Sequence, residues 1–321
     1  MRVLVTGGAG FIGRHLVRKL LKDPTMNVRV LDNLYRSHNT FAEVPAVEFL
    51  QGDIRDRHAV RSAMTGIDLV YHLAAQSNVL GAVKDVDYSF TTNVGGTFEV
   101  LSAAREHGVR AVIFTSSREV YGEAVHLPVP ESAPWSPKNA YGTSKVAGEL
   151  YCRLFAESGL GVVVLRLANV YGPGDSERVI PMFLGNALRN QPLVIHGRNK
   201  ILDFVWIGDV VDALVNVQAT TYSGQTINIG CGEGTTLPDL AQQILRVTGS
   251  SSVIQLADAR RAEVDRFVAD IRVAKSLLDY RPSAPLVHLP EVAAVFTRWF
   301  RGQDLNTLPD SRLRPERLVS A

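Results

Sequence analysis

Cysteine is scarce: only Cys152 and Cys231 occur in 321 residues. Two thiols cannot build a disulfide framework, and no CxxC or Cys/His spacing points to a metal, so none is expected. Both read as small buried residues. No apolar run reaches the ~20 residues that a membrane-spanning helix requires. The first strand pattern starts at residue 2, which leaves no room for a signal or transit peptide, and a cytoplasmic, reducing setting is expected. Charge of one sign is lacking as well. With 34 Lys and Arg against 32 Asp and Glu, mixed along the chain, the net charge is +2, and no basic field argues for nucleic acid. Repeats and low-complexity segments are absent. The composition, 46% hydrophobic and 21% charged, is that of an ordinary globular chain. Its length exceeds one usual core, so a large domain with a smaller lobe is expected.

What is present begins with Thr6 to Gly13, TGGAGFIG, directly after the apolar run Val3-Leu4-Val5. A buried strand here runs into a glycine turn and then a helix over Phe11–Lys22. Gly7 permits the tight turn, Gly10 lets the backbone approach a pyrophosphate, and Gly13 lets helix and strand pack closely. The helix N-terminus offers free N–H groups and a positive dipole end to phosphates. Glycine spacing alone is weak evidence. Asp32 strengthens it, because it closes the second strand about 20 residues on, where a carboxylate can hold a ribose diol and repel a 2′-phosphate. The pattern predicts a dinucleotide site with a preference for NAD over NADP.

Short apolar runs alternate with helical patterns through the first half. Strands are expected at Val3–Val5, Val28–Leu31, Val47–Leu50, Leu69–His72, Ala111–Thr115 and Val162–Leu167. Helices fall near Phe11–Lys22, Arg57–Met64, Val86–His107 and Tyr141–Ser158. This alternation, with unbroken apolar strands, predicts an α/β fold with a doubly wound parallel sheet covered on both faces. The nucleotide-binding domain is expected over 1–171 and the smaller lobe over 172–321, with part of 204–230 returning to the sheet. In the lobe the pattern gives helices at Val179–Arg189, Ile207–Ala219 and Leu237–Thr248, the last capped by Thr235 or Thr236, and strands at Leu193–His196 and Thr226–Ile229. The Arg- and Pro-rich tail from Asp304 is expected to be extended or loosely helical.

Tyr141 and Lys145 stand four apart at the start of a helix, so both side chains leave one face. An ammonium near a phenol favours the phenolate and makes the tyrosine a plausible general base. An exposed tyrosine and a solvated lysine would be the bland alternative. The strand end Thr115-Ser116-Ser117 lies where open α/β sheets bind ligands, and a hydroxyl there can share a substrate hydroxyl with Tyr141. Alternatively the serines satisfy turn backbone groups, which suits Ser116 better than Ser117.

Taken in order, TGGAGFIG, Asp32, Gly52-Asp53-Ile54, HLAAQ at 72–76, Asn93, SSREVYG, YGTSK and RLANVYGPG at 166–174 resemble extended short-chain dehydrogenases/reductases. More narrowly, the chain resembles the NAD-dependent epimerase/dehydratase family, which acts on nucleotide-diphosphate sugars, over residues 1 to about 300. The resemblance implies a Rossmann-type domain with a C-terminal substrate-binding lobe, NAD as cofactor, and a catalytic set of Ser117, Tyr141 and Lys145. It implies that Asp53 and Ile54 hold the adenine and that Leu73, Ala74, Ala75 and Gln76 line the pyrophosphate and ribose. Further cofactor contacts are implied for Phe11, Ile12 and Asn33, with Asn93 structuring the strand beside the site. Substrate contacts are implied for Ser77, Ser117, Asn169, Val179 and Arg260. A homodimer is implied through the helices near Val86–His107 and Tyr141–Ser158, with Val100, Leu101, Leu150 and Leu154 as apolar support.

Two departures from the family pattern matter. The 4,6-dehydratases resemble this chain but carry Asp-Glu before VYG, as acid and base for eliminating water; here the pair is Arg118-Glu119. Glu119 fills the base position, whereas an arginine cannot deliver a proton. Glu119 then serves either as a catalytic base, or in an ion pair with Arg118, or in a hydrogen bond to a sugar hydroxyl. The second departure is Leu202 in Leu202-Asp203-Phe204, where relatives carry an arginine that grips the substrate diphosphate. Arg260, Arg261 or Lys200 are the cations left to share that load. The expected activity is 4-epimerisation of a UDP-hexose or its N-acetyl or uronate form. The alternatives are a dehydratase or decarboxylase using Glu119, and a non-catalytic NAD(H)-binding regulator.

Overall fold

Seven parallel strands form the centre of the molecule. The computed structural model describes residues 1–37, 41, 44–176, 178–217 and 221–302. In chain order the sheet takes β1 (Arg2–Thr6), β2 (Asn27–Asp32), β3 (Val47–Gln51), β4 (Leu69–His72), β5 (Ala111–Ser117) and β6 (Gly161–Leu167), and it is completed by Thr226–Ile229. Their spatial order is Thr226–Ile229, β6, β5, β4, β1, β2, β3, all parallel. All seven residues of β5 are buried, and its first four, Ala111 to Phe114, run apolar without alternation because both faces are covered. One core lies on each face, the first around Val5, Leu16, Ile113 and Leu165, the second around Leu4, Met64, Leu101 and Phe114.

The order reverses between β1 and β4, and ligands of open α/β sheets sit at the carboxyl ends beside such a reversal. Those ends are fastened together here. The Thr6 hydroxyl and His72 Nδ1 are 2.7 Å apart, and His72 Nε2 lies 3.0 Å from the Thr97 hydroxyl. Burial pushes His72 down to about 3, so it serves as a neutral hydrogen-bonding post.

Helices α1 (Phe11–Leu20), α2 (Arg57–Met64), α3 (Val79–Lys84), α4 (Val86–Phe90), α5 (Thr97–Glu106) and α6 (Ala140–Glu157) connect the strands. The single helix expected over Val86–His107 is interrupted: α4 and α5 are joined by a π-helical turn, Thr91–Gly96. Two contacts account for it. Asn93 turns its side chain toward the loop after β4, and Gly96 packs where an added Cβ would lie 2.6 Å from Ile54. Such turns commonly mark functional segments.

The lobe is built from short pieces. Phe204–Trp206 pairs with Asn169–Tyr171, Leu193–His196 with Ile254–Ala257, and Ile201–Leu202 with both Thr235–Thr236 and Arg266–Phe267. Helices Val179–Leu188, Leu237–Thr248 and Leu289–Phe300 close a third core around Phe183, Leu240 and Phe296. Thr236 caps Leu237–Thr248 by accepting from the Asp239 amide. The tail from Asp304 lies outside the described residues. Among the described residues no helix is long and apolar enough to cross a membrane, and no group of three His, Cys, Asp or Glu could hold a metal ion.

Candidate active site

The glycine turn fits a diphosphate. Gly7 adopts φ +71°, a conformation L side chains avoid, and a Cβ at Gly13 would lie 2.2 Å from the Gly7 carbonyl oxygen. A Cβ at Gly10 would meet only that same oxygen, at 3.2 Å, so its other side is clear for a ligand. The first turn of α1 has no acidic residue, and no side chain caps its amides; they remain available to an anion. At the end of β2, Asp32 accepts from the amides of Ala9 (3.0 Å) and Leu34 (2.8 Å) and from the Ser37 hydroxyl. That uses three of the roughly four acceptor positions of a carboxylate, leaving one for a ribose hydroxyl.

Further along the same edge, Asn33 donates to Asp53 at 2.9 Å and Arg55 clasps both Asp53 oxygens. Burial opposes ionisation of Asp53, but the hydrogen bonds from Arg55 and Asn33 outweigh it and hold the carboxyl at about 2. Ile54 is buried beneath Gly96. Phe11 and Ile12 open α1, and Leu73, Ala74 and Ala75 follow β4, all half-buried. Asn93 fixes the next segment: it accepts from the Gln76 amide (2.7 Å) and donates to the Gln76 carbonyl (3.0 Å) and the Ser144 hydroxyl (2.9 Å). The π-helical turn is thus bolted both to the loop after β4 and to α6. Ser77, the next residue, is exposed.

Ser117 ends β5, and Tyr141 and Lys145 lie in the first turns of α6, all three buried. Asn139 starts α6 by accepting from the Gly142 amide, and Gly142 packs against the Glu119 carbonyl oxygen, where a Cβ would lie 2.5 Å away. These two contacts dock the helix on the turn that follows β5. The Ser117 hydroxyl favours ionisation of the Tyr141 phenol, and its oxygen accepts from the Glu119 amide at 3.2 Å.

The electrostatics differ from the sequence expectation. Burial dominates and pushes Tyr141 up to about 12; Ser117, Arg178 and Arg118 work against it, and Glu119 works with it. Arg178 and Arg118 are the cations that most favour ionisation of the phenol, and Lys145 adds a cation over the face of its ring. The Lys145 ammonium, 5.9 Å from the Tyr141 ring centroid, donates to the Thr115 carbonyl at 2.9 Å. Burial pushes it down to about 8, against the pull of Cys152 and Glu149.

Each Glu119 oxygen has a protein partner: one pairs with Arg118 at 2.9 Å and the other accepts from Asn139 at 2.8 Å. Arg118 also donates to the Asn169 side-chain oxygen at 3.2 Å, and Asn169 donates to the Asp203 carbonyl. Asn139 reaches the Ala262 carbonyl, which brings the 260–263 turn against this cluster. There Arg260 meets Glu263 (3.1 Å) and His196 (3.1 Å), while buried Lys200 pairs with Glu263 and, at 3.8 Å, Asp265. Leu202 is buried on the strand that pairs with Phe267. Val179 opens its helix and is half-buried.

Two functional neighbours escaped the sequence reading. Asn139 carried a legible signal, since an Asn directly before a helix is a cap. Arg178, which bonds Asp175 at 2.8 Å and lies over the Phe11 ring, carried none, because Phe11 and Tyr141 come from two distant segments.

A glycine turn at a helix N-terminus, a carboxylate closing β2 and a buried Ser–Tyr–Lys set beside β5 are the layout of a Rossmann-type fold of the short-chain dehydrogenase/reductase class. Residues 3–230 match the model of the NAD dependent epimerase/dehydratase family. The chain belongs to that family, and its cofactor is NAD. It is 37% identical over 283 residues to a putative UDP-glucose 4-epimerase of Methanocaldococcus jannaschii, covering 86% of this chain and 92% of that protein. It is 36% identical over 269 residues to human dTDP-D-glucose 4,6-dehydratase, covering 79% and 77%. Among solved structures, UDP-glucuronic acid 4-epimerase from Bacillus cereus, in complex with UDP-glucuronic acid and NAD, superposes with a TM-score of 0.87 at 28% identity, over 93% of this chain and 100% of that one. The chain is therefore similar to epimerases and to a dehydratase alike.

Proposed function

We propose that the chain is a nucleotide-sugar 4-epimerase whose substrate is a UDP-hexose, in neutral, N-acetyl or uronate form. The observation that supports this over elimination is the setting of Glu119: one oxygen pairs with Arg118, the other accepts from Asn139, and its neighbour Arg118 cannot act as the acid that elimination needs. Ser117, Tyr141 and Lys145 remain for the step the family shares. Bound NAD, held by the glycine turn, Asp32 and the Asp53–Ile54 edge, supplies reversible hydride acceptance at the sugar carbon. Tyr141 takes the proton of the 4-hydroxyl and later returns it, Ser117 orients that hydroxyl, and Lys145 anchors the cofactor ribose and adds positive charge beside the phenol. The buried setting of all three residues excludes water from the keto sugar.

Dehydration or decarboxylation is the second reading, favoured by the presence of a buried carboxylate at 119. One experiment separates them. In an epimerase Glu119→Gln keeps the side chain's size and one of its two acceptors and is expected to hold turnover within ~10-fold, about 1.4 kcal/mol on the barrier. The product keeps its mass and takes up no deuterium from heavy water. Loss of water or carbon dioxide, or deuterium at the 5-position carbon, would refute the epimerase reading.

A further inference from the structure

Arg118 spends its guanidinium in an unusual way. An arginine whose whole task is to balance one carboxylate commonly meets it with two parallel N–H bonds. Here Nη2 alone meets Glu119, at 2.9 Å, while Nε is turned onto the Asn169 amide oxygen, at 3.2 Å. The third nitrogen, Nη1, is buried and has no acceptor. A buried unpaired donor on a charged group is costly, and native structures rarely keep one without a reason. The plane of the guanidinium is fixed from a third side by the Phe267 ring, 5.9 Å from its central carbon.

The surroundings say what Nη1 could take. Arg118 follows Ser117 directly, acts electrostatically on Tyr141, and touches Asn169, so it lies between the reacting end of the site and the lobe. Phe267, beneath it, pairs in register with Leu202, the uncharged position of that strand. Of the cations named for this load, Lys200 is committed to Glu263 and Asp265 and Arg260 to Glu263 and His196, while Arg261 is exposed. Neither Lys200 nor Arg260 has a buried nitrogen left without an acceptor.

We infer that Arg118 is a substrate-binding residue whose free Nη1 donates to an oxyanion of the sugar nucleotide, in place of a cation at position 202. The inference rests on the reading that the substrate is a nucleotide-diphosphate sugar. The oxyanion comes either from the diphosphate or from the carboxylate of a uronosyl group.

The test is calorimetric binding of UDP, UDP-glucose and UDP-glucuronate to NAD-loaded protein in a Tyr141→Phe background, which blocks turnover. Two variants are compared with that parent. Arg118→Lys keeps a charge beside Glu119 but not the planar fork. Arg118→Gln combined with Glu119→Gln removes both charges and strands neither. Retained NAD and an unchanged melting temperature report the fold. If Nη1 binds the diphosphate, all three ligands weaken by roughly tenfold or more, the loss expected of one charge-assisted hydrogen bond. If it binds the carboxylate, only UDP-glucuronate weakens. Affinities unchanged for all three ligands in a folded variant would overturn the inference. Failure of the parent to bind any of them would overturn the functional reading, and the inference with it.

Discussion

At Tyr141 a single phenol carries two opposed demands. Burial raises its pKa to about 12, whereas a general base needs the ionised form at neutral pH. Ser117, Arg178 and Arg118 oppose the burial, and the Lys145 ammonium, 5.9 Å from the ring centroid, is steadied by the Thr115 carbonyl. Removing the phenolic oxygen tests whether this group holds the proton. Tyr141→Phe is expected to keep the fold and NAD but lose at least ~10²-fold in turnover, the lower range for a positioned acid–base group. Ser117→Ala, which removes an orienting bond, is expected to cost less. Steady-state kinetics with retained NAD absorbance checks both, and near-parental turnover in Tyr141→Phe would move the chemistry elsewhere.

Between elements, the strongest fastening lies under the site. Glu149, one turn beyond Lys145 on α6, pairs with Arg166 of β6 at 2.6 Å and accepts from the Ser116 hydroxyl of β5 and the Trp135 indole. Arg166 continues to the Tyr121 phenol at 2.7 Å, which reaches Asn228 on the outermost strand. Glu149 and Arg166 are 3% and 5% exposed, so truncating one strands the other in a dry interior. Glu149→Ala is expected to destabilise by about 3–5 kcal/mol, the usual cost of breaking a buried pair from one side. Chemical denaturation measures it; a loss under about 1 kcal/mol, the range of surface pairs, would show that water reaches Arg166.

At the scale of the whole molecule, the helices beside the site leave apolar surface uncovered. Val100 and Leu101, expected from the sequence to support a dimer contact, are instead fully buried, because α5 turns them onto the sheet. Exposed apolar residues on these helices include Phe90 at 61%, Val86 at 54%, Leu154 at 53% and Phe98 at 42%, and Leu150 is half-buried. We propose that these helices pair across a two-fold axis, the commonest oligomeric arrangement. Light scattering at micromolar concentration is expected to give twice 35.1 kDa, and Phe98→Glu to shift the mass toward the monomer. A monomeric mass for the parent protein would overturn the pairing.

The sequence by itself determined the elements of the nucleotide-binding half and the residue types of its chemistry. Short unbroken apolar runs bounded by turn signals read as doubly covered strands, and the spacing of Gly7, Gly10 and Gly13 answers to local backbone sterics. Tyr141 and Lys145 share one helix face by its period alone. Folding decided what depends on distant partners. The π-helical turn between α4 and α5 exists because Asn93 finds Gln76 and Ser144, far along the chain. Val100 turned inward because α5 packs on the sheet. Glu119 was legible as a carboxylate in a suggestive place, but its engagement by Arg118 and Asn139 was not. Pattern along a chain records local sterics and burial period, whereas the partner and pKa of a side chain are set by residues that only tertiary packing brings within a few ångströms.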